Sequence, residues 1–442
     1  LPAPPLGVDS LSLRDALATG LAQNPDLITL RGTANVSAAA VGVAGTYPWN
    51  PFVQAEYFPR GSPYSPASSP GGLAGNSNYY VWLMQRFELG HQRAFREQSA
   101  RAAFGQVSWN IRQAELNNLA QSERLFFTAL YMRQIRDLAA DTQTLSDRLL
   151  EVVERRFHAG LATALEIANA RVAARQARRQ FQLADTTYQT SLLALRQQLG
   201  VPIDAPLELT GDLGKYAWLP IGDAYCYVSR ASDVASPALA AAMVEARPDV
   251  MAAGSGVSIA RANLSLARAA RIQDVQAGPI YQTADDGTQY LGFRLQRDFG
   301  IFNNGSALVT QRDAELRQQA LAFDQLKRRA TNEAAAAIER YERARRIAAD
   351  AAREGAETQS REVEQVVAQF EAGKADIVNV LTIQNNLLLD LRASLDLFNE
   401  VAQAAAGVTQ TTGLPPESLL ALSRPEQLPP PDLEPKSPTH AQ

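Results

Sequence analysis

The chain has 442 residues, 20% of them charged, with 42 Lys and Arg against 46 Asp and Glu and a formal net charge of -4. That balance offers no basic footprint for nucleic acid, and Arg-rich stretches such as Arg178-Arg179 and Lys327-Arg328-Arg329 read as solvated helix faces. A single cysteine, Cys226, excludes an internal disulfide, and His91, His158 and His440 have no ligand-like spacing, so neither a metal nor another cofactor is expected.

Length alone suggests about three ordinary domains, but the chain says nearly everything twice, which argues for two copies of one unit. Asn24-Pro25-Asp26-Leu27 recurs as Arg247-Pro248-Asp249-Val250, and Arg156-Phe157-His158-Ala159-Gly160 as Gln369-Phe370-Glu371-Ala372-Gly373. Leu199-Gly200-Val201-Pro202 recurs as Thr412-Gly413-Leu414-Pro415. The three matches keep their order.

In chain order, residues 1–11 form an extended segment whose Leu1-Pro2-Ala3-Pro4-Pro5 start is not a signal peptide. The first repeat, residues 12–201, is expected to hold a helix over 12–43, a β-hairpin over 52–88, a long helix over 92–157 and a return helix over 163–199. Residues 202–236 form a linker without helical periodicity. The second repeat, 237–414, has a helix over 237–271, a hairpin over 274–298, a long helix over 305–370 and a return helix over 376–411. A Pro-rich tail over 415–442 argues against further helix. The chain has no run of 18 apolar residues, so no transmembrane helix is expected; spanning strands would escape that test.

The long helices carry apolar residues at a period of 3.5, the mark of a seam facing a neighbour along its length. Leu316, Ala320, Phe323, Lys327, Ala330, Ala334, Ala337 and Tyr341 step alternately by four and three. On the first long helix, Phe104, Val107 and Ile111 form one seam and Leu116, Leu119, Phe126 and Leu130 another. Two seams need two neighbours, which favours a closed ring of helices. A long helix of about 66 residues spans roughly 100 Å, and the opening and return helices together roughly match it.

In the hairpins, Leu291, Phe293 and Leu295 alternate with Gly292, Arg294 and Gln296, and Val81, Leu83 and Phe87 with Trp82, Met84 and Arg86. The lengths suit tilted strands crossing a bilayer, and Tyr57, Phe58, Tyr79, Tyr80, Tyr281 and Tyr290 cluster where an aromatic girdle would sit. Four strands cannot close, and open edges are not tolerated in lipid, so closure needs other chains. Two chains give eight strands and a filled interior, whereas three give twelve and begin to leave a lumen.

These motifs, with Leu165-Glu166-Ile167-Ala168-Asn169-Ala170-Arg171 and Asp376-Ile377-Val378-Asn379-Val380-Leu381, resemble the TolC-like outer-membrane factors over roughly Ser10 to Leu414. The resemblance implies a mixed α+β membrane protein: a homotrimer whose 12-stranded outer-membrane β-barrel, four strands per chain, continues into a long α-helical periplasmic barrel. It implies an exit duct of a tripartite efflux system in a Gram-negative outer membrane, working with a periplasmic membrane-fusion adaptor and an inner-membrane RND-type transporter. Leu295 to Gly305 looks similar to the branch serving heavy-metal pumps. A drug or type I secretion channel is an alternative within the family, and a soluble elongated coiled-coil scaffold is one outside it. No nucleophile elbow, P-loop or paired His-carboxylate motif suggests an enzyme.

On that resemblance, Phe157, Gly160 and Leu161, with Phe370, Gly373 and Lys374, are the adaptor-contact tips. Glu166, Asp376 and Asn379 are candidate pore-gate residues, since three symmetry copies of one carboxylate would form a cation-selecting ring. A solvated surface charge accounts for each of them equally well. Asn379 and Thr382 stand where some members have aspartates, and Phe157 and Phe370 where a tyrosine can tie the gate, so packing of the phenylalanines is the expected closure.

Overall fold

The computed structural model describes residues 10–58, 77–204, 206–229, 236–284, 288–354 and 377–420. Helices α1 (Leu13–Gln23) and α2 (Pro25–Gly45) precede strands β1 (Phe52–Phe58) and β2 (Asn78–Phe87), followed by α3 (Gln92–His158) and α4 (Ala164–Leu199). Next come α5 (Ile221–Ser229), α6 (Ser236–Glu245), α7 (Pro248–Ala269), β3 (Val275–Thr283), β4 (Gln289–Arg297), α8 (Ser306–Glu354) and α9 (Ile377–Thr412). The chain divides into two compact units: residues 1–28, 114–247 and 330–442 form the first, and 29–113 with 248–329 the second.

The first unit is built on helix packing. Phe126, Phe127, Leu130, Leu195, Leu199, Leu11 and Leu213 form one apolar cluster, in which Phe127 meets Phe126, Tyr216 and Trp218 at ring distances of 5.7, 5.3 and 5.5 Å. The segment after α4 is pinned to this core by short bridges, Leu11 to Leu209 and Trp218 to Leu420, and by Tyr341, whose hydroxyl donates to Leu219 O at 2.7 Å. The linker is therefore not wholly irregular: a 3-10 turn at Leu213–Lys215 and α5 lie within it.

Each opening stretch, read from the sequence as one helix over 12–43 and over 237–271, is two helices. Asn24 ends α1, and α6 ends at Glu245 before α7 starts at Pro248. Proline has no N–H to continue a helix and disfavours helical backbone in the residue before it, yet it fits a first turn. Asn24 Oδ1 accepts from the N–H groups of Asp26 and Leu27 at 3.0 and 3.1 Å, and its amide donates to Gln198 O at 2.9 Å. Gly200, with φ 71°, closes α4 so tightly against this corner that a Cβ there would lie 2.6 Å from Gln23 O. At the other proline corner, Arg247 Nη1 donates to Thr411 O at 3.1 Å.

The second unit contains one antiparallel sheet in the order β1-β2-β3-β4. Register pairs Val53 with Leu83, Ala55 with Val81, Val81 with Tyr281, Pro279 with Phe293 and Ala277 with Leu295. Below the strands, Arg86 pairs with Asp274 at 2.9 Å and Arg96 with Glu88 at 2.8 Å, while Gln92 Nε2 donates to Asp274 Oδ1 at 3.0 Å. The Tyr47 hydroxyl donates to Arg86 O and accepts from Glu88 N–H, at 2.7 and 3.0 Å. These bonds fix where the strands meet α3 and α7.

Helix α2 departs from the expectation that no helix could span a membrane. By length and composition it is apolar enough, with mean hydropathy 1.3, because scattered alanines, glycines and valines raise an average that Asp26, Arg31 and Asn35 interrupt as a run.

Candidate channel wall and helix-turn tip

The two faces of the sheet carry opposite chemistry. Because side chains alternate along a strand, the register gathers Val53, Ala55, Tyr57, Tyr79, Val81, Leu83, Tyr281, Leu291, Phe293 and Leu295 on one face. Leu291 is 82% exposed and Phe293 71%, so this apolar face has no cover among the described residues. The other face carries Gln54, Glu56, Arg86, Gln276, Gln282, Arg294 and Gln296, with Phe52, Met84 and Ile280 among them, around a stack in which Tyr80 and Trp82 lie 5.8 Å apart and Arg294 sits 5.4 Å from the Trp82 ring. An aqueous wall on one side and a hydrocarbon wall on the other is the pattern of a membrane barrel strand. The expected aromatic girdle is split by the same alternation. Tyr57, Tyr79 and Tyr281 share the apolar face, whereas Phe58, Tyr80 and Tyr290 lie on the polar one.

At the far end of α3 the chain reverses through a Schellman motif: Leu161 N–H donates to Arg156 O at 2.8 Å and Gly160 N–H to Phe157 O at 3.0 Å. Gly160 has φ 72° and, among the described residues, open space where a Cβ would stand, so the backbone conformation itself calls for glycine. Thr163 then starts α4 with a capping box, its N–H donating to Glu166 Oε2 at 2.5 Å and its hydroxyl accepting from Glu166 N–H at 3.2 Å. The Thr163 N–H and then its hydroxyl hold the Glu166 carboxyl below the usual carboxylate range. Leu161 and Leu165 are left exposed at the turn, beside a half-exposed Phe157.

Thus the structure brings Phe157, Gly160, Leu161 and Glu166 to one turn. Asn379 is exposed on α9 next to Val380, which packs with Leu149, Val152, Val153, Ile167 and Ala170, so Glu166 and Asn379 each precede a member of one apolar cluster. Phe370, Gly373, Lys374 and Asp376 lie outside the described residues. Salt bridges tie the α3 and α4 arms together, Glu154 to Arg171 at 3.2 Å and Asp147 to Arg178 at 2.9 Å.

One group escaped notice in the sequence. Glu123 is fully buried, neither of its carboxylate oxygens has a hydrogen-bond partner among the described residues, and burial pushes its pKa up to about 8 against the Thr409 hydroxyl and the Arg124 charge. The signal was present, since Glu123 falls on the seam of Leu116, Leu119, Phe126 and Leu130, at the position a heptad reserves for an apolar residue.

A four-stranded antiparallel sheet with one apolar and one polar face, and long helices with a tight reversal, are features this fold shares with solved outer-membrane channels. Residues 17–201 match the family described as outer membrane efflux protein. That match covers the first part of the chain, less than half of its length, and the fold throughout is similar to that of solved outer-membrane channels. It is 26% identical over 218 residues to the pyoverdine export outer membrane protein OpmQ of Pseudomonas putida; the match covers 48% of this chain and 41% of that relative. The fold is similar to that of a membrane protein from Pseudomonas aeruginosa, with a TM-score of 0.70, 18% identity and coverage of 91% and 92% of the two chains. It is also similar to the CmeC outer membrane channel of Campylobacter jejuni, with a TM-score of 0.70, 14% identity and coverage of 91% and 85%.

Proposed function

We propose that this chain is the exit duct of an efflux system in a Gram-negative outer membrane, conducting small molecules passively from a periplasmic adaptor and an inner-membrane RND-type pump to the exterior. The observation that carries the reading is the sheet: apolar on an uncovered face, polar on the other, with β1 and β4 as its two open edges. Unpaired edges are not tolerated in hydrocarbon. Three copies close twelve strands around an aqueous lumen, whereas two copies would fill theirs. The matched corners at Asn24 with Gln198 and Arg247 with Thr411 support two copies of one unit within the chain.

In this reading Phe157, Gly160 and Leu161 contact the adaptor, together with Phe370, Gly373 and Lys374 at the second turn. Exposed Leu161 and the bare Gly160 backbone suit a helical hairpin packing against them. Glu166, Asp376 and Asn379 line the closed end. Glu166 also caps α4, so its ring role and its capping role compete for one carboxylate. The exposed, small-residue surface of α2 suits close packing against another copy.

The driving force comes from the pump, and cargo choice is made there. The OpmQ relative is named for pyoverdine export, which favours cargo of that kind over bare heavy-metal cations. The test is reconstitution into planar phospholipid bilayers. Discrete conductance steps are expected, and bilayers that stay sealed although protease protection shows the protein inserted would contradict the duct.

A further inference from the structure

The chain leaving β4 exposes three large apolar side chains in succession, Phe299 at 81%, Ile301 at 81% and Phe302 at 103%. Such a patch on a loop needs a cover. The segment is compact: Ile301 N–H donates to Phe299 O at 2.8 Å, and Asn303 and Asn304 side chains accept from the N–H groups of Gly305 and Ser306 at 3.0 Å each, turning the chain into α8. A Cβ on Gly300 would lie 3.0 Å from Asn303 O, so the turn is folded on its own backbone and presents its apolar side chains outwards.

Position along the strand says what covers it. Leu291, Phe293 and Leu295 face away from the polar wall, and Arg297 ends the strand on that same face before the chain turns through Phe299 to Phe302. A nine-residue strand tilted by about 40° rises roughly 23 Å, nearly the whole apolar band of a barrel of this kind. The turn beyond Arg297 therefore stands at headgroup level on the side where α3 and α8 leave the sheet. Arg271 borders the turn, its Cγ 3.2 Å from where a Cβ on Gly305 would stand, and the first hairpin exits in the same style with Phe87 and Leu89 exposed. Aromatic rings and arginines side by side are the chemistry of a lipid interface, the rings in the acyl boundary and the guanidinium groups at phosphate.

We infer that Phe299, Ile301 and Phe302, flanked by Arg271 and Arg297, form a phospholipid-contacting foot that fixes the depth of the barrel in the periplasmic leaflet. The inference rests on the membrane-barrel reading, and its test separates the two. In a Cys226→Ser background, a nitroxide is placed by Phe302→Cys and, separately, by Phe293→Cys in mid-strand. Collision with oxygen and with the water-soluble relaxant NiEDDA is measured in phospholipid nanodiscs. The expected result is a several-fold preference for oxygen at both positions, with the Phe302 site shallower. A Phe293 site in lipid together with a Phe302 site reached by NiEDDA, or shielded from both by another copy, overturns the foot and leaves the barrel standing. A Phe293 site open to NiEDDA overturns both.

Discussion

The apolar core of the first unit and the sheet of the second use the same residue types to opposite ends. Phe126, Phe127 and Leu130 are shut away completely, whereas Leu291, Phe293 and Leu295 stand exposed and it is Trp82 and Met84, on the other face, that are buried. In the proposed duct, water is the solvent for one and hydrocarbon for the other. Burial within one chain is thus a guide to stability only where the surroundings are aqueous.

Truncating equivalent side chains breaks or sharpens that contrast most strongly. Phe127→Ala should cost about 3–5 kcal/mol, read as a lower midpoint in thermal unfolding of the helical signal. Phe293→Ala, although it removes the same atoms, should leave that midpoint nearly unchanged. Reversing the polarity comes next: Phe293→Arg should cost about 2–4 kcal/mol in bilayer assembly, while Gln54→Arg on the polar face should assemble as wild type, both measured by resistance of the assembled form to SDS.

The buried acid gives a smaller, pH-dependent effect. The unfolded chain releases the Glu123 proton near the ordinary value of 4.5 and the folded chain near 8, so in that window the folded state holds an extra proton. Stability then falls as pH rises through the window and levels off above it. Between pH 6 and 7.5 the wild type should lose about 2 kcal/mol relative to Glu123→Gln, which has no proton to release there, in paired urea titrations. A flat difference would show that the carboxyl is hydrated or paired. Smallest is Thr163→Ala, which removes one half of the capping box at α4 and should cost about 1 kcal/mol, visible as fraying near the turn by amide exchange.

Much of this was legible in the sequence because the periods are physical. Alternation at period two separated Leu291, Phe293 and Leu295 from Arg294 and Gln296, and the glycine at 160 marked a reversal that needs positive φ. The helix breaks at Pro25 and Pro248 were legible too, yet the apolar pattern on either side of each corner runs in phase and reads as one helix. Burial of Glu123 was harder to see, since a single carboxylate on a charged helix looks solvated until two neighbours pack over it. The Glu166 capping box could be read from Thr163 three residues before it, but the cap and the gate draw on the same residue, and spacing cannot rank them. The splitting of the tyrosine girdle depended on register between strands that are distant in sequence.

The central claim is that the uncovered apolar face is a barrel wall completed by other copies of the chain. Its most direct test is the mass of the purified protein by light scattering, with the micelle contribution subtracted, alongside an attempt to keep it soluble once detergent is removed. A trimer that precipitates without detergent is the predicted result. A detergent-free monomer or dimer would contradict the account and return the soluble coiled-coil scaffold as the better explanation.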